Sequence, residues 1–366
     1  PVLLVGDIDR GGVFAQLAGT MLLLEEEEKK RVKGTIINKF RGDVSILKPG
    51  LRMLEEKINT SVLGVIPYFH LDIEDEDSLT ERFRKKSRSG LAKIAVIRLP
   101  RISNFTDIAP LEAVDELDVS YVSNISQFGD PDVVIIPGSK NTISDLLWMR
   151  QNGLEGKILR HAAKGGIVFG ICGGYQMLGQ SISDPTGAEQ KGTVRGMGLL
   201  PVTTVFEQEK RRTRVSGRFA KVGGALAEMS GVCYEGYEIH MGASRRTDHA
   251  EIDMDTVMMD LGRSEKPEML QEKRYEYLCH ITDQAENQKA DGICAGNVYG
   301  TYVHGVFDAD GIAAKIVEAL ATKKGISMEA VTQQNYQEFK ETQYDKLAKT
   351  LREYLDMDAV YRMMGM

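Results

Sequence analysis

The sequence predicts an α/β fold built on parallel sheets, and three observations carry that expectation. Strand-like apolar runs alternate with helix-period segments as far as Gln180, the pattern of strands joined by crossover helices. Several of those runs, such as DVVIIPG (132–138) and GIVFGI (166–171), read as buried strands. At 366 residues with 42% hydrophobic residues, the chain is long enough to bury a sizeable core in two domains.

Taken in order, PVLLVGD (1–7) is a strand ending in Asp7, and GGVFAQLAGTMLLLEEEE supplies a packed helix. GTIIN (34–38) is the next strand, followed by a helix near 44–59 and the strand SVLGVI (61–66). PYFHLDIEDEDSLTERFRKKSRSG (67–90) is polar and weakly periodic, a closing loop and linker. A new run of units opens at LAKIAVIRLP (91–100). In it, strand 132–138 feeds SKNTISDLLWMR, and strand 166–171 feeds GGYQMLGQSI. After residue 190 the segments shorten and alternate: GLLPVTTVF, RRTRVSGRFA, GYEIHMG and NVYGTYVHGVF are expected as antiparallel additions to the second sheet. Residues 244–290, polar with one weak helical stretch near 268–280, are expected as an insertion. From Gly311 the tail is helical, and YDKLAKTLREYL (344–355) is amphipathic at period 3.6.

Charge and cysteine usage narrow the function classes. A formal net charge of −7 disfavours a nucleic-acid partner, which needs clustered Lys and Arg against phosphate. The runs EEEEKKR (25–31) and EDED (74–77) read as solvated faces. No apolar stretch reaches the ~18 residues of a membrane span. Cys172, Cys233, Cys279 and Cys294 show no CxxC spacing, which points to a reducing, cytoplasmic setting rather than a disulfide framework or zinc site. The first residue is Pro1, directly in an apolar strand, so the chain is expected to begin inside a domain.

The segment GIVFGICGGYQMLG (166–179) carries the strongest chemical signal. Its strand-to-helix turn, G-x-C-G-G, has the form of a nucleophile elbow, where small residues let the chain turn sharply and expose a side chain. At a helix N-terminus the Cys172 thiol would be activated, and the N–H of Gly173 would face a developing oxyanion. Taken alone, Cys172 also fits a small core hydrophobe. A thiol nucleophile needs a base on another element. Of the six histidines, His304 in GTYVHGVF stands at the end of a strand-like run, before a glycine. Gly138, closing DVVIIPG, lets backbone amides approach a substrate carbonyl and is a second oxyanion candidate.

FGICGGYQMLG, IIPGSKNT, GYEIHMG and GTYVHGVFD, in that order, resemble the class I glutamine amidotransferases of the cobyric/cobyrinic acid synthase type. RISNFTDIAPLE (101–112), DIDRGGVFA (7–15) and YDKLAKTLREYLDMD (344–358) are similar to the branch that makes cobyric acid. The resemblance covers nearly the whole chain and thins at 244–290. It implies a partial P-loop-ATPase-like domain (1–90), a flavodoxin-like amidotransferase domain (91–312) and a helical tail (313–366). It also implies that Cys172 attacks the side-chain amide of glutamine with His304 as general base and acid, and that the ammonia amidates carboxylates activated by ATP and Mg²⁺. The substrate implied is adenosylcobyrinic acid a,c-diamide and the product adenosylcobyric acid, on the cobalamin route. The partners expected are therefore glutamine, ATP and a corrinoid, with no nucleic acid, membrane or covalent cofactor; a homo-oligomer is left open.

Two departures qualify the resemblance. Many class I amidotransferases carry a glutamate two residues after the histidine, where this chain has Val306. The cobyric acid synthases are understood to keep only the Cys–His pair, which leaves the partner that orients His304 unidentified. Glu238 in GYEIH is either a substrate contact or structural. The family also begins with a phosphate-binding loop, and no G-x-x-x-x-G-K-S/T occurs here, so the chain is expected to start after that loop and to hold ATP poorly. On the ATP and substrate side the candidates are Asp7 (also for Mg²⁺), Asp9, Arg10 and Asn38, each of which a plain loop would also explain. Three rival readings stay open: a cobyrinic acid a,c-diamide synthase, a non-catalytic binding module, and a hydrolase using Cys172 on another amide.

Overall fold

A computed structural model describes residues 1–69, 71, 90–247, 275–309, 311–326 and 336–365. The chain forms two compact units, Pro1–Ile73 with Glu338–Met366, and Glu74–Gln337. In the first, β1 (Val2–Asp7), β2 (Val32–Phe40) and β3 (Val62–Pro67) pair in parallel in that order. The crossover helices Val13–Leu23 and Val44–Ile58 cover one face, burying Val13, Leu17, Met21, Leu54 and Ile58 against Ile37 and Val65. Asp43 starts the second of these helices by accepting from the Ser45 N–H at 2.8 Å. On the other face, Ile36, Leu63 and Ile66 pack against Leu351, Ala359 and Val360 of the helices Tyr336–Tyr354 and Met357–Met364 and against Leu355 between them. The amphipathic period of 344–355 is thus used against this small sheet.

In the second unit, β4 (Ala92–Ile97), the short β5 (Ile102–Ser103), β6 (Leu117–Val122), β7 (Val133–Ile136), the short β8 (Gly138–Ser139) and β9 (Ile167–Ile171) follow in chain order. Next come β10 (Ser181–Asp184), β11 (Gly192–Arg195), β12 (Val202–Phe219), β13 (Cys233–Arg246), β14 (Cys279–Asp283) and β15 (Gln288–Asp291). β16 (Ile293–Ala295), β17 (Val298–Thr301) and β18 (Val303–His304) complete the set. One sheet runs β16-β17-β9-β7-β4-β6, parallel except for the edge strand β16. Both faces are buried: Val96, Ile135 and Phe169 lie in one cluster, and Ile97, Val134, Ile136 and Val168 in the other. That is why these runs do not alternate.

The alternating segments after residue 190 do not join this sheet as antiparallel additions. They build a seven-stranded sheet of their own from β10–β15 and β18. Of the described strands after residue 190, β17 enters the first sheet parallel to β9, buried along all four residues, and β16 adds to it as an antiparallel edge. Residues 248–274 of the expected insertion, most of the 268–280 helical stretch and most of the 67–90 linker lie outside the described residues. The described ends of the insertion are strands, β13 reaching Arg246 and β14 starting at Cys279. The tail is shared: helix Ile312–Lys324 packs in the second unit, and the last two helices in the first. Among the described residues no helix is long and apolar enough to cross a membrane.

Candidate active site

Cys172 stands between β9 and the helix Gly173–Leu178, at φ 51° and ψ −107°. For a residue with a Cβ this is strained backbone, of the kind that stores roughly 1–3 kcal/mol at functional turns. Three contacts hold it there. The Cys172 N–H donates to Thr301 O at 2.8 Å, its carbonyl accepts from the Gln176 N–H at 3.1 Å, and its Sγ lies 3.4 Å from Ile239 O. The glycines around it answer to packing. A Cβ on Gly174 would strike the Ile136 carbonyl, one on Gly170 would lie 2.8 Å from the Gly174 backbone, and one on Gly173 would come 3.0 Å from Ser139 N.

His304 ends β18 and is completely buried. β18 pairs with β13 so that His304 faces Tyr237, and the two rings stack with centroids 5.2 Å apart. The imidazole partner absent from the local sequence comes from the far end of the domain. Asp107 Oδ2 is 2.7 Å from His304 Nδ1, and its other oxygen accepts from the Gly305 N–H at 2.8 Å. Asn104 Nδ2 lies 3.1 Å from His304 Nε2. Both residues follow β5, where Asn104 adopts φ 50° and ψ 45° and Asp107 sits in a single 3₁₀ turn.

Burial pulls the His304 pKa down, but the charge and hydrogen bond of Asp107 outweigh it. With a further contribution from Cys172, the imidazole is pushed up from 6.5 to about 10. Asp107 thus favours the imidazolium form, the partner a thiolate nucleophile needs, and toward that form the Asn104 side-chain amide must turn to present its oxygen. The helix after Cys172 has only six residues, so its dipole is the lesser of the two influences. Linkage gives a testable sign. A folded-state pKa raised above 6.5 stabilises the fold fully below that pH, and the stabilisation is lost as pH rises through about 10. The difference in urea-unfolding free energy between wild type and His304→Gln is thus expected to be largest near pH 6 and to shrink steadily toward pH 10. A difference that grows with pH contradicts the assignment.

Of the other candidates, Gly138 sits in β8, paired with Ser103, and a Cβ there would come 3.1 Å from His304 Cε1. Ser139 donates to the buried Asp145 at 2.7 Å, and Asp145 also accepts from the Arg101 N–H, which pins β8 beside the elbow. Glu238 is buried on β13 and accepts from Lys289 at 2.8 Å, with His240 Nε2 at 3.5 Å. Burial raises its carboxyl pKa, but His240 and Lys289 prevail and hold it below the usual range. Both contacts fall on the same oxygen, Oε1.

Asp7, Asp9, Arg10 and Asn38 gather in the first unit at the carboxyl ends of β1 and β2, where open α/β sheets bind ligands. Asp7 caps the turn through the Asp9 N–H and pairs with Lys39 at 3.0 Å; Arg10 stands 3.9 Å from it. Arg41 grips Asp9 through two bonds of 3.0 and 3.1 Å, and Asn38 accepts from the Lys39 N–H. Among the described residues no three His, Cys, Asp or Glu are placed to hold a metal ion.

Residues 93–312 match the model of the CobB/CobQ-like glutamine amidotransferase domain. The chain is 55% identical over 362 residues to the cobyric acid synthase of Ruminiclostridium cellulolyticum, covering 99% of this chain and 66% of that protein. To the cobyric acid synthase of Lachnoclostridium phytofermentans it is 49% identical over 370 residues, covering 100% of this chain and 68% of that one. It spans about two thirds of the length of these curated relatives. A solved glutamine amidotransferase is 14% identical with a TM-score of 0.40, covering 63% of this chain and 98% of that one. By the domain match and by similarity along its whole length, the chain belongs to the cobyric acid synthase family.

Proposed function

We propose that the second unit hydrolyses glutamine at Cys172, and that the whole protein uses the ammonia, with ATP, to amidate peripheral carboxylates of adenosylcobyrinic acid a,c-diamide and give adenosylcobyric acid. One observation carries the reading: two different sheets bring a strained cysteine and a buried histidine together, and a third segment clamps the histidine through Asp107. The Cys172 thiolate attacks the amide carbon, and the oxyanion forms against the Gly173 N–H and the Gly138–Ser139 backbone. The His304 imidazolium gives its proton to the departing nitrogen, the C–N bond breaks, and ammonia leaves a glutamyl thioester on Sγ. Neutral His304 then takes a proton from water, which attacks the thioester. Glutamate departs and the thiolate–imidazolium pair is restored. Asp107 keeps the Nδ1–H aimed at itself, so that Nε2 performs each transfer.

ATP, when bound, supplies activation of the acceptor carboxylate as an acyl phosphate. Asp7 and Asp9 each already hold a basic side chain, so Mg²⁺ at Asp7 would rely on phosphate oxygens and water for most of its ligands. Lys39, Arg10 and Arg41 suit a phosphate-bearing ligand, and Asn38 lies beside Asp7 in register to meet the same molecule. Between this family and the sister a,c-diamide synthases, the 49–55% identity along the chain favours the former.

The test is direct trapping. The chain is incubated with glutamine, ATP and the corrinoid, quenched in acid and digested for mass spectrometry. A glutamyl adduct on the Cys172 peptide and release of glutamate are expected, both absent in Cys172→Ala. A full-length protein, with the phosphate-binding loop present, that forms no adduct under these conditions overturns the reading.

A further inference from the structure

Behind the catalytic pair lies a second buried carboxylate that the mechanism does not use. Asp291 ends β15, and the chain turns at once through Gly292, at φ 67°, into β16. This turn brings the carboxylate against the end of β17. Its Oδ2 accepts from Thr301 Oγ1 at 2.5 Å and from the Tyr302 N–H at 3.1 Å; Cys279 Sγ lies 3.8 Å away. Burial pushes its carboxyl up, as does Glu238, against the Thr301 hydrogen bond, the Lys289 charge and the Tyr302 N–H. Burying a carboxylate is costly unless its acceptor sites are used. Here Oδ2 is used mainly on one peptide segment, Thr301–Tyr302.

That segment joins the two catalytic residues. The Thr301 carbonyl accepts the Cys172 N–H at 2.8 Å. The Thr301 hydroxyl, while donating to Asp291, accepts from the Val303 N–H at 3.0 Å, one residue before His304. Tyr302, anchored by its own N–H on Asp291, accepts through its hydroxyl from Gln176 Nε2 at 3.2 Å on the helix after Cys172, and its ring stacks on His240 at 3.9 Å. Three successive residues are thereby fixed, with the nucleophile hung from the first and the base following the third.

We infer that Asp291, acting through Thr301, is a positioning residue that sets the aim of His304 on Cys172. It touches neither the sulfur nor the imidazole. It acts by hydrogen bonding and not by charge, because the Thr301 hydroxyl, the Tyr302 N–H and the more distant Cys279 thiol converge on one oxygen, Oδ2, that an asparagine can replace. The inference rests on the proposed Cys172–His304 chemistry, and the test separates the two. Alkylation of Cys172 by iodoacetamide at fixed pH, read by mass spectrometry, reports the thiolate that His304 sustains, whether or not glutamine is turned over. Glutamine turnover is measured alongside.

Asp291→Ala and Thr301→Val are each expected to slow Cys172 alkylation and kcat by roughly 10–100-fold, the scale of a misplaced reacting group, with KM within about twofold. Asp291→Asn and Thr301→Ser, which keep the acceptor oxygen and the hydroxyl, are expected to hold both rates within about threefold of wild type. A residue that only stabilises the fold lowers Tm and leaves the alkylation rate where it was. Wild-type alkylation in Thr301→Val, or Thr301→Ser as slow as Thr301→Val, overturns the inference, and these variants decide it even if Asp291→Ala fails to fold. Wild-type protein that alkylates at Cys172 but does not turn over glutamine counts against the proposed function and leaves this inference standing.

Discussion

Asp107→Asn is expected to lower kcat for glutamine hydrolysis by roughly 10³–10⁴-fold, the range seen when the orienting carboxylate of a Ser–His–Asp triad becomes an amide. Both oxygens of Asp107 accept: one faces His304 Nδ1 at 2.7 Å, the other the Gly305 N–H at 2.8 Å. An asparagine has one acceptor and one donor to offer. If its NH₂ faces the Gly305 N–H, two donors meet in a buried site at the cost of an unmade hydrogen bond. If its NH₂ faces Nδ1, the ring must present a lone pair there and carry its proton on Nε2, where it cannot take one from the sulfur. Either way the imidazolium loses the charge that pushed its pKa up to about 10. Cys172 alkylation at neutral pH should fall in parallel, because less thiolate is sustained. A variant that keeps more than about a tenth of wild-type kcat would show that Asp107 is a packing residue.

The same residue shows where sequence reading stopped. Cys172 was legible because its signal is local: a strand, a turn of small residues and a helix within fourteen positions. His304 followed because a thiol nucleophile requires a base and its segment ended a strand. The orienting carboxylate was sought two residues after His304, where Val306 is instead buried in the core. It arrives across 197 positions of sequence, on a loop whose conformation at Asn104 no periodicity encodes. RISNFTDIAPLE stands out as a family signature, and that is the available clue; its chemistry becomes visible only once the turn after β5 is folded against the end of β18. Glu238 is a different case: its motif fits a substrate contact and a structural role equally, and the pairing of β14 with β15 brings Lys289 to one of its oxygens. The two-faced burial of β4, β7 and β9 could be read from their unbroken apolar runs, but not which sheet the later alternating strands would form. Alternation fixes which face of a strand is buried and says nothing of its neighbour.

Gly174→Ala is expected to destabilise the second unit by about 3 kcal/mol or more, the upper end of the overpacking range, and to lower its Tm by roughly 6–12 °C. The reason lies in what the new methyl would meet. It would run into the Ile136 carbonyl oxygen, with the Ile136 carbonyl carbon at 2.7 Å and Pro137 O at 3.0 Å. These are backbone atoms at the end of β7, a fully buried strand paired with β4 and β9, so no side chain can swing aside. Relief requires moving the helix Gly173–Leu178 off the sheet, and that helix begins at the nucleophile. Activity should therefore fail at temperatures where the fold still holds, since lifting the helix displaces the Gly173 N–H and relaxes the turn at Cys172. Gly19→Ala is the control: nothing lies within 4 Å of the new Cβ in the helix Val13–Leu23, and alanine there is expected to be neutral or to stabilise by about 0.5–1 kcal/mol. Calorimetry on the two variants separates a glycine that is merely tolerated from one that the elbow requires. Equal Tm values for Gly174→Ala and wild type would mean that β7 and the helix are not in the close contact on which the oxyanion geometry depends.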